Sequence, residues 1–227
     1  MEETAIKMDF AFIKEVIPLY IQAAILTIKI GVVGILLSTL MGLVCAVVRY
    51  WKVPVLRVIV RIYTELSRNT PLLIQLFFLY FALPRLGIKL SSEQCAVIGL
   101  TFLGGSYMAE TFRSSLETVG KNQIESGECI GLTRLQIVRY VVLPQAVAVS
   151  VPGVCANMMF LIKETSMFSA VALADLMYVA KDLIGLYYKT EEALALLVIA
   201  YFIILLPVTA ASAWAERRLR HGQFGNA

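Results

Sequence analysis

Long stretches without a charged side chain limit what this chain can fold into more than any other feature. Residues 30–48, 141–162 and 193–215 contain no Asp, Glu, Lys or Arg. A helix needs roughly 20 mostly apolar residues to cross the ~30 Å hydrocarbon core of a bilayer, and each stretch has about that length. Two shorter uncharged stretches, residues 69–84 and 95–109, reach that length only with their flanks.

These stretches predict an all-α membrane protein with a single transmembrane domain of five helices. The predicted spans cover about residues 17–48, 55–83, 93–115, 141–163 and 193–215. The apolar segment 165–174 is about half a membrane thick, so it either re-enters the membrane or lies against the bundle. Composition agrees, because hydrophobic residues make up 59% of the chain and charged residues only 16%, against ~45–50% and ~25% in soluble domains.

The same composition excludes several classes of protein. It is unlike that of a cytosolic enzyme, a disordered tail or a disulfide scaffold. A net charge of +4 is too small to indicate nucleic-acid binding. The four cysteines lie far apart without a CxxC pair, and the chain has one histidine, so no metal site is predicted.

The positions of Lys and Arg predict the orientation of the chain, because cytoplasmic loops carry an excess of both residues. The larger group follows the first, third and fifth spans: Arg49, Lys52, Arg57, Arg61, Arg68, Arg113, Lys121, Arg134, Arg139, Arg217, Arg218 and Arg220. The smaller group lies on the other side: Lys7, Lys14, Arg85, Lys89, Lys181 and Lys189. This distribution places the N-terminus outside and the C-terminus in the cytoplasm. No cleavable signal peptide is expected, so the membrane anchor is predicted to be permanent.

Small residues recur at every fourth position of the first span, at Gly34, Ser38, Gly42 and Ala46. Residues four apart share one helix face, and small side chains on that face let two helices approach closely in lipid. We expect a tight helix contact there, either within the chain or between subunits.

The fourth span contains Pro144 and Pro152 and ends at Lys163 and Glu164. Broken helices are tolerated at membrane depth where they line a cavity, so the prolines indicate either a substrate path or a simple kink. The two charges either form a polar gate that faces the bundle interior or lie at the membrane interface.

A long polar stretch, about residues 117–140, separates the third and fourth spans. Asn122 followed by Glu125 is typical of a capping box, and Gly131 is typical of a helix end, so a short helix is predicted between them. The helix is predicted to expose two apolar side chains, Ile124 and Ile130. Such a helix can dock in a groove of a cytoplasmic partner.

This stretch resembles the EAA loop of ABC importer permeases, and we call residues 117–140 the coupling loop. That pattern reads Glu-Ala-Ala, three residues, Gly, nine residues, an aliphatic residue, one residue and Leu-Pro. The matching residues are Glu125, Ser126, Gly127, Gly131, Val141, Leu143 and Pro144. Ser126 and Gly127 replace the two alanines; both are small, although a glycine weakens a helix by up to ~1 kcal/mol.

Three further stretches resemble the polar amino-acid branch of that family. They are Arg68-Asn69-Thr70-Pro71-Leu72-Leu73-Ile74-Gln75, Glu110-Thr111-Phe112-Arg113 and Leu161-Ile162-Lys163-Glu164-Thr165-Ser166. Asn69 stands where glycine is usual in the family. The resemblance covers about residues 15–220.

The resemblance implies a multi-pass permease of the bacterial cytoplasmic (inner) membrane that pairs with a second permease chain, identical or related. It implies a dimer of ABC ATP-binding subunits that holds ATP and Mg²⁺, and an extracellular solute-binding protein that delivers an amino acid. This chain is expected to be no enzyme and to bind no cofactor, and it has no GxxxxGK[ST] loop. No nucleic-acid partner is expected. Coupling to the ATPase is expected from Glu125, Ser126, Gly127 and Gly131.

Six polar residues are candidates for the substrate pathway: Gln75, Ser106, Asn157, Lys163, Glu164 and Thr165. A cationic substrate needs carboxylate partners inside the membrane, and residues 141–162 supply none. This favours a neutral or zwitterionic polar amino acid such as glutamine or cystine. The alternatives are a stand-alone secondary amino-acid transporter, which would need internal repeats or embedded acids, and an ABC permease for a different small polar solute.

Overall fold

The computed structural model describes residues 8–223, and every regular element in that range is helical. The α-helices are α1 (Phe10–Tyr50), α2 (Leu56–Arg68), α3 (Leu72–Phe77), α4 (Ser92–Glu117), α5 (Lys121–Cys129), α6 (Arg134–Ile137), α7 (Leu143–Glu164), α8 (Leu176–Tyr187) and α9 (Thr190–Gln223). π-Helical turns cover Phe78–Ala82 and Val138–Val142, and 3₁₀ turns cover Leu83–Leu86 and Thr165–Val171. The predicted all-α class is confirmed.

Within residues 8–223, four segments are long and apolar enough to cross a membrane: Phe10–Tyr50, Ser92–Glu117, Arg134–Val171 and Thr190–Arg218. A fifth span exists if the bent pair Leu56–Arg68 and Leu72–Leu86 is counted as one. The structure differs here from the single span predicted over residues 55–83, because the two helices meet at 104°.

The predicted face of small residues lies against α4 of the same chain. A methyl group built on Gly34 would lie 2.6 Å from Leu100 Cδ2, and one on Gly42 would lie 2.4 Å from Met108 Cβ. The Ser38 hydroxyl donates to the Leu100 carbonyl at 3.1 Å. The two helix backbones therefore approach closely, as small residues permit in a membrane.

The segment after α7 packs against the bundle. Its 3₁₀ turn contacts α3, α4 and α8 and buries Phe168 and Val171. Ala172, at φ +54, ends the turn. Asp175 then caps α8, because its Oδ1 accepts the Tyr178 N–H at 2.9 Å.

Polar contacts join the first residues of α1 and α9. Asp9 caps α1 by accepting the N–H groups of Ala11 and Phe12. Its Oδ2 lies 3.1 Å from Lys189 Nζ, and its own N–H donates to Glu192 Oε1 at 3.0 Å. The Phe12 N–H and the Lys189 ammonium hold the pKa of the Asp9 carboxyl below its ordinary value, because both favour the charged form.

Candidate functional site

The chain bends sharply between α2 and α3. Thr70 precedes Pro71, and a residue before proline is disfavoured in the helical conformation, so the helix stops there. The Gln75 side-chain amide donates to the carbonyls of Ser67 at 3.1 Å and Thr70 at 2.9 Å. These bonds pair carbonyl groups that the break removes from the helix.

The end of α2 that leads into the bend is fixed to α4. The Tyr63 hydroxyl and the Ser67 hydroxyl both donate to the Phe102 carbonyl, at 2.7 and 2.9 Å. The rings of Tyr63 and Phe102 also meet edge to face, with centroids 5.0 Å apart. The direction in which the chain leaves α2 is therefore set by contacts with a neighbouring span.

A cavity of about 450 Å³, here called the bend cavity, lies beside this turn. Residues 68–73 form one wall. The rest comes from α4, α7 and the following turn: Leu103, Tyr107, Phe160, Glu164 and Met167. Two neighbouring spans and the bend thus line one space.

Charged and aromatic groups share the walls of the bend cavity. The Arg68 guanidinium lies 5.3 Å from the centroid of the Tyr107 ring, and that ring lies 5.1 Å from the Phe160 ring. Glu164, which also lines the cavity, carries the opposite charge and is half-buried. Within residues 8–223, no ion pair joins Arg68 to Glu164. The cavity can therefore offer a guanidinium to a carboxylate and a carboxylate to an ammonium group.

Of the six predicted pathway residues, Glu164 lines the bend cavity. Gln75 holds the bend, and Asn157 donates to Thr111 Oγ1 at 2.9 Å, which links α7 to α4. Lys163 is exposed outside the cavity. Two buried hydroxyls bond within their own helical turns, Ser106 to the Leu103 carbonyl and Thr165 to the Ile162 carbonyl.

Three residues that line the bend cavity were not among the predicted pathway residues: Arg68, Tyr107 and Phe160. A cation next to Asn69-Thr70-Pro71 was the available signal for Arg68, since a proline break can point the preceding residue into a cavity. Tyr107 and Phe160 lie in apolar stretches, and nothing in the sequence separates them from core aromatics.

An ion-pair network lies at the ends of α1 and α4 next to the coupling loop. Arg49 Nη1 lies 3.0 Å from Glu110 Oε2. Arg113 pairs with both Glu110 and Glu117. These ion pairs fix the last turns of α1 and α4 relative to each other. The point at which the coupling loop begins is therefore fixed as well.

The coupling loop folds as α5 followed by a tight turn into α6. Gly131 has φ +82, and glycine adopts this conformation without steric cost. The Gly131 N–H donates to the Glu128 carbonyl and the Leu132 N–H to the Gly127 carbonyl, both at 3.0 Å. This pair of bonds is a Schellman motif. The predicted helix end at Gly131 is confirmed.

The predicted capping box at Asn122 is wrong. Helix α5 begins earlier, at Lys121, and its cap residue Gly120 has no side chain to bond. A capping box does form at Thr133 and Gln136, where α6 starts. Gly120, in an extended conformation, precedes the first residue of α5, and the sequence contains no capping motif that would predict this start.

The two faces of α5 differ. Gly127 is buried, and a methyl group there would lie 3.1 Å from Ile137 Cγ1. Glu125 and Ser126 are exposed. Ile130 is 77% exposed, as predicted, whereas Ile124 packs partly into a cluster with Ile137. The exposed side of the loop therefore combines charge with an apolar tip.

Comparison with known proteins agrees with this architecture. The family described as "Binding-protein-dependent transport system inner membrane component" matches residues 34–221. The probable amino-acid ABC transporter permease protein PatM of Vibrio harveyi is 30% identical over 214 residues, covering 93% of this chain and 96% of the relative. The probable glutamine ABC transporter permease protein GlnP of Bacillus subtilis is 35% identical over 180 residues, covering 78% and 83%.

A solved structure, "Crystal structure of an amino acid ABC transporter with histidines", superimposes with a TM-score of 0.88 at 27% identity. The match covers 94% of this chain and all of the other. The chain is a multi-pass inner-membrane protein, and it belongs to the inner membrane components of binding-protein-dependent transport systems, the permeases of ABC importers.

Proposed function

We propose that this chain is the permease subunit of an ABC importer for a polar amino acid that carries no net charge, such as glutamine or cystine. The observation that carries the proposal is the presence of both Arg68 and Glu164 in the walls of the bend cavity. An amino acid has a carboxylate and an ammonium group on one carbon, which match these two charges. The names of the amino-acid and glutamine permeases among its relatives support the same substrate class.

The charges of the cavity also bear on which amino acid is carried. Its lining contains one guanidinium and one carboxylate, so a zwitterion balances it. A cationic side chain would need a further carboxylate, and the walls described here offer none beyond Glu164.

The test is uptake by cells or proteoliposomes that carry Arg68→Gln, Glu164→Gln or Lys163→Gln. A hydrogen bond to a charged group is worth ~1.5–3 kcal/mol, so each of the first two changes should raise the KM at least about tenfold. Lys163→Gln is the matched control, because this neighbour of Glu164 is exposed outside the cavity. An unchanged KM in the Arg68 and Glu164 variants would refute the assignment.

We further propose that a dimer of ATP-binding subunits, with ATP and Mg²⁺, drives transport through the exposed face of the coupling loop. A second permease chain and an extracellular solute-binding protein complete the assembly. The arrangement of four residues on and just after α5 supports this role. Glu125 and Ser126 are exposed, Gly127 lets the helix pack against Ile137, and Gly131 ends the helix at positive φ.

Purification through a tag on this chain tests the partner. The adjacent ATP-binding subunit should be recovered with the wild type and lost with Glu125→Lys. Glu191→Lys, an equally exposed reversal at the start of α9, should leave recovery unchanged. Uptake without ATP and without the ATP-binding subunit would support the secondary-transporter alternative instead.

A further inference from the structure

A narrow cleft separates the last turns of α1 from the first turns of α7, with α4 as its floor. Its volume is about 150 Å³. The side walls are Leu43 and Val47 on α1, and Leu143 and Val147 on α7. All four side chains are exposed on segments that are long and apolar enough to cross a membrane. The cleft is therefore open to the acyl chains of the bilayer.

The cleft continues into a second cavity of about 370 Å³ at the end of the bundle that carries the coupling loop, and this cavity, here called the polar cavity, is the more polar of the two. The two spaces share Tyr50, Trp51 and Val138. Trp51 is 60% exposed at the end of α1. Aromatic side chains in such positions lie at headgroup level in membranes. The step from apolar cleft to polar cavity thus occurs where acyl chains give way to headgroups.

Two opposite charges line the polar cavity, Glu128 on α5 and Arg134 on α6. Both are exposed, and among residues 8–223 neither takes part in an ion pair. A guanidinium binds phosphate oxygens in a bidentate manner. A carboxylate accepts hydrogen bonds from a primary ammonium group.

We propose that the cleft and cavity together bind one phospholipid with a primary-amine headgroup, of the phosphatidylethanolamine type. Part of an acyl chain lies between Val47 and Val147, the phosphate lies at Arg134, and the ammonium group lies at Glu128. Pockets between transmembrane helices at the membrane surface recognise headgroups by their charge. The balanced pair of charges selects a zwitterionic headgroup over an anionic one.

Native mass spectrometry of the intact transporter, purified through a tag on this chain, tests the proposal. Phosphatidylethanolamine, phosphatidylcholine and phosphatidylglycerol with identical acyl chains are offered in equal amounts. Exposed charge pairs are worth ~0.2–1 kcal/mol, so the wild type should retain phosphatidylethanolamine roughly 1.4- to fivefold over the others. Glu128→Gln should equalise the ethanolamine and choline lipids, since only the former donates to a carboxylate. Arg134→Gln should lower the retention of both.

The acyl cleft is tested by filling it. Val147→Trp should lower the retention of every phospholipid, whereas Leu36→Trp should not. Leu36 is the matched control, because it is similarly exposed on α1, 60% against 52%, and lies outside the cleft. Preference for phosphatidylglycerol, no preference in the wild type, or unchanged retention in Val147→Trp would each overturn the proposal.

Discussion

Replacing Gly42 with alanine should loosen the contact between α1 and α4. The added methyl carbon would lie 2.4 Å from Met108 Cβ and 2.9 Å from the Ala109 nitrogen. An ordinary carbon–carbon contact is ~3.5–4.0 Å, so the helices must separate by about 1 Å. Two of the three nearest atoms belong to the α4 backbone and cannot rotate away. Overpacking costs ~1–3 kcal/mol, and we expect a value at the upper end.

Gly185→Ala is the control for this prediction. Gly185 lies inside α8, and a methyl group built on it would have no atom within 4 Å apart from its chain neighbours and the backbone of its own helix. Alanine there should stabilise the helix by up to ~1 kcal/mol, since glycine is the poorer helix former. Thermal unfolding of both variants in detergent, followed by intrinsic fluorescence, gives the comparison. A Gly42→Ala protein as stable as the wild type would refute the reasoning, because the contact distance would then not limit the packing.

Three further predictions concern single elements and use the same unfolding measurement. Gly131→Ala should cost about 1–2 kcal/mol, because φ +82 is unfavourable for alanine, while Gly185→Ala, inside α8 and next to open space, should not destabilise the protein. Ser91→Ala should cost about 1 kcal/mol, because it removes the capping box of α4; an unchanged unfolding temperature would contradict this. Burial raises the pKa of Asp175 to about 7 from its ordinary 3.8, so the folded state holds a proton that the unfolded state releases. The contribution of Asp175 to stability should therefore fall by on the order of 4 kcal/mol between pH 4 and pH 7 and stay constant above. Asp175→Asn, which can still cap α8, should remove that dependence, and parallel pH profiles of the two proteins would contradict it.

The helical class was predictable from the long uncharged stretches, and the closely packed face of α1 was predictable from its small residues at every fourth position. Small residues at every fourth position indicate the face along which a helix packs closely, and α4 packs against that face of α1. The partner helix was not predictable, since the pattern fits a contact within the chain and one between subunits equally well.

The break in the second predicted span was harder to predict from the sequence. Residues 69–84 form an uncharged stretch, and hydropathy treats them as one element. Pro71 signals an interruption, but the angle of 104° depends on contacts of Tyr63 and Ser67 with α4, which lies far along the chain. The presence of Arg68 and Glu164 in the walls of one cavity depends on the same angle.

Helix α7 connects the two candidate sites physically. Residues Arg134–Val171 form one continuous helical segment, and at ~1.5 Å per residue about 45 Å separates Arg134 from Glu164. One end of this segment begins at the capping box of Thr133 and Gln136, inside the coupling loop, and the other end places Glu164 in the wall of the bend cavity. Gly127 packs against Ile137 near the first end. Because no loop interrupts this path, we expect a displacement of α5 against Ile137 to shift the helical segment that also forms a wall of the bend cavity.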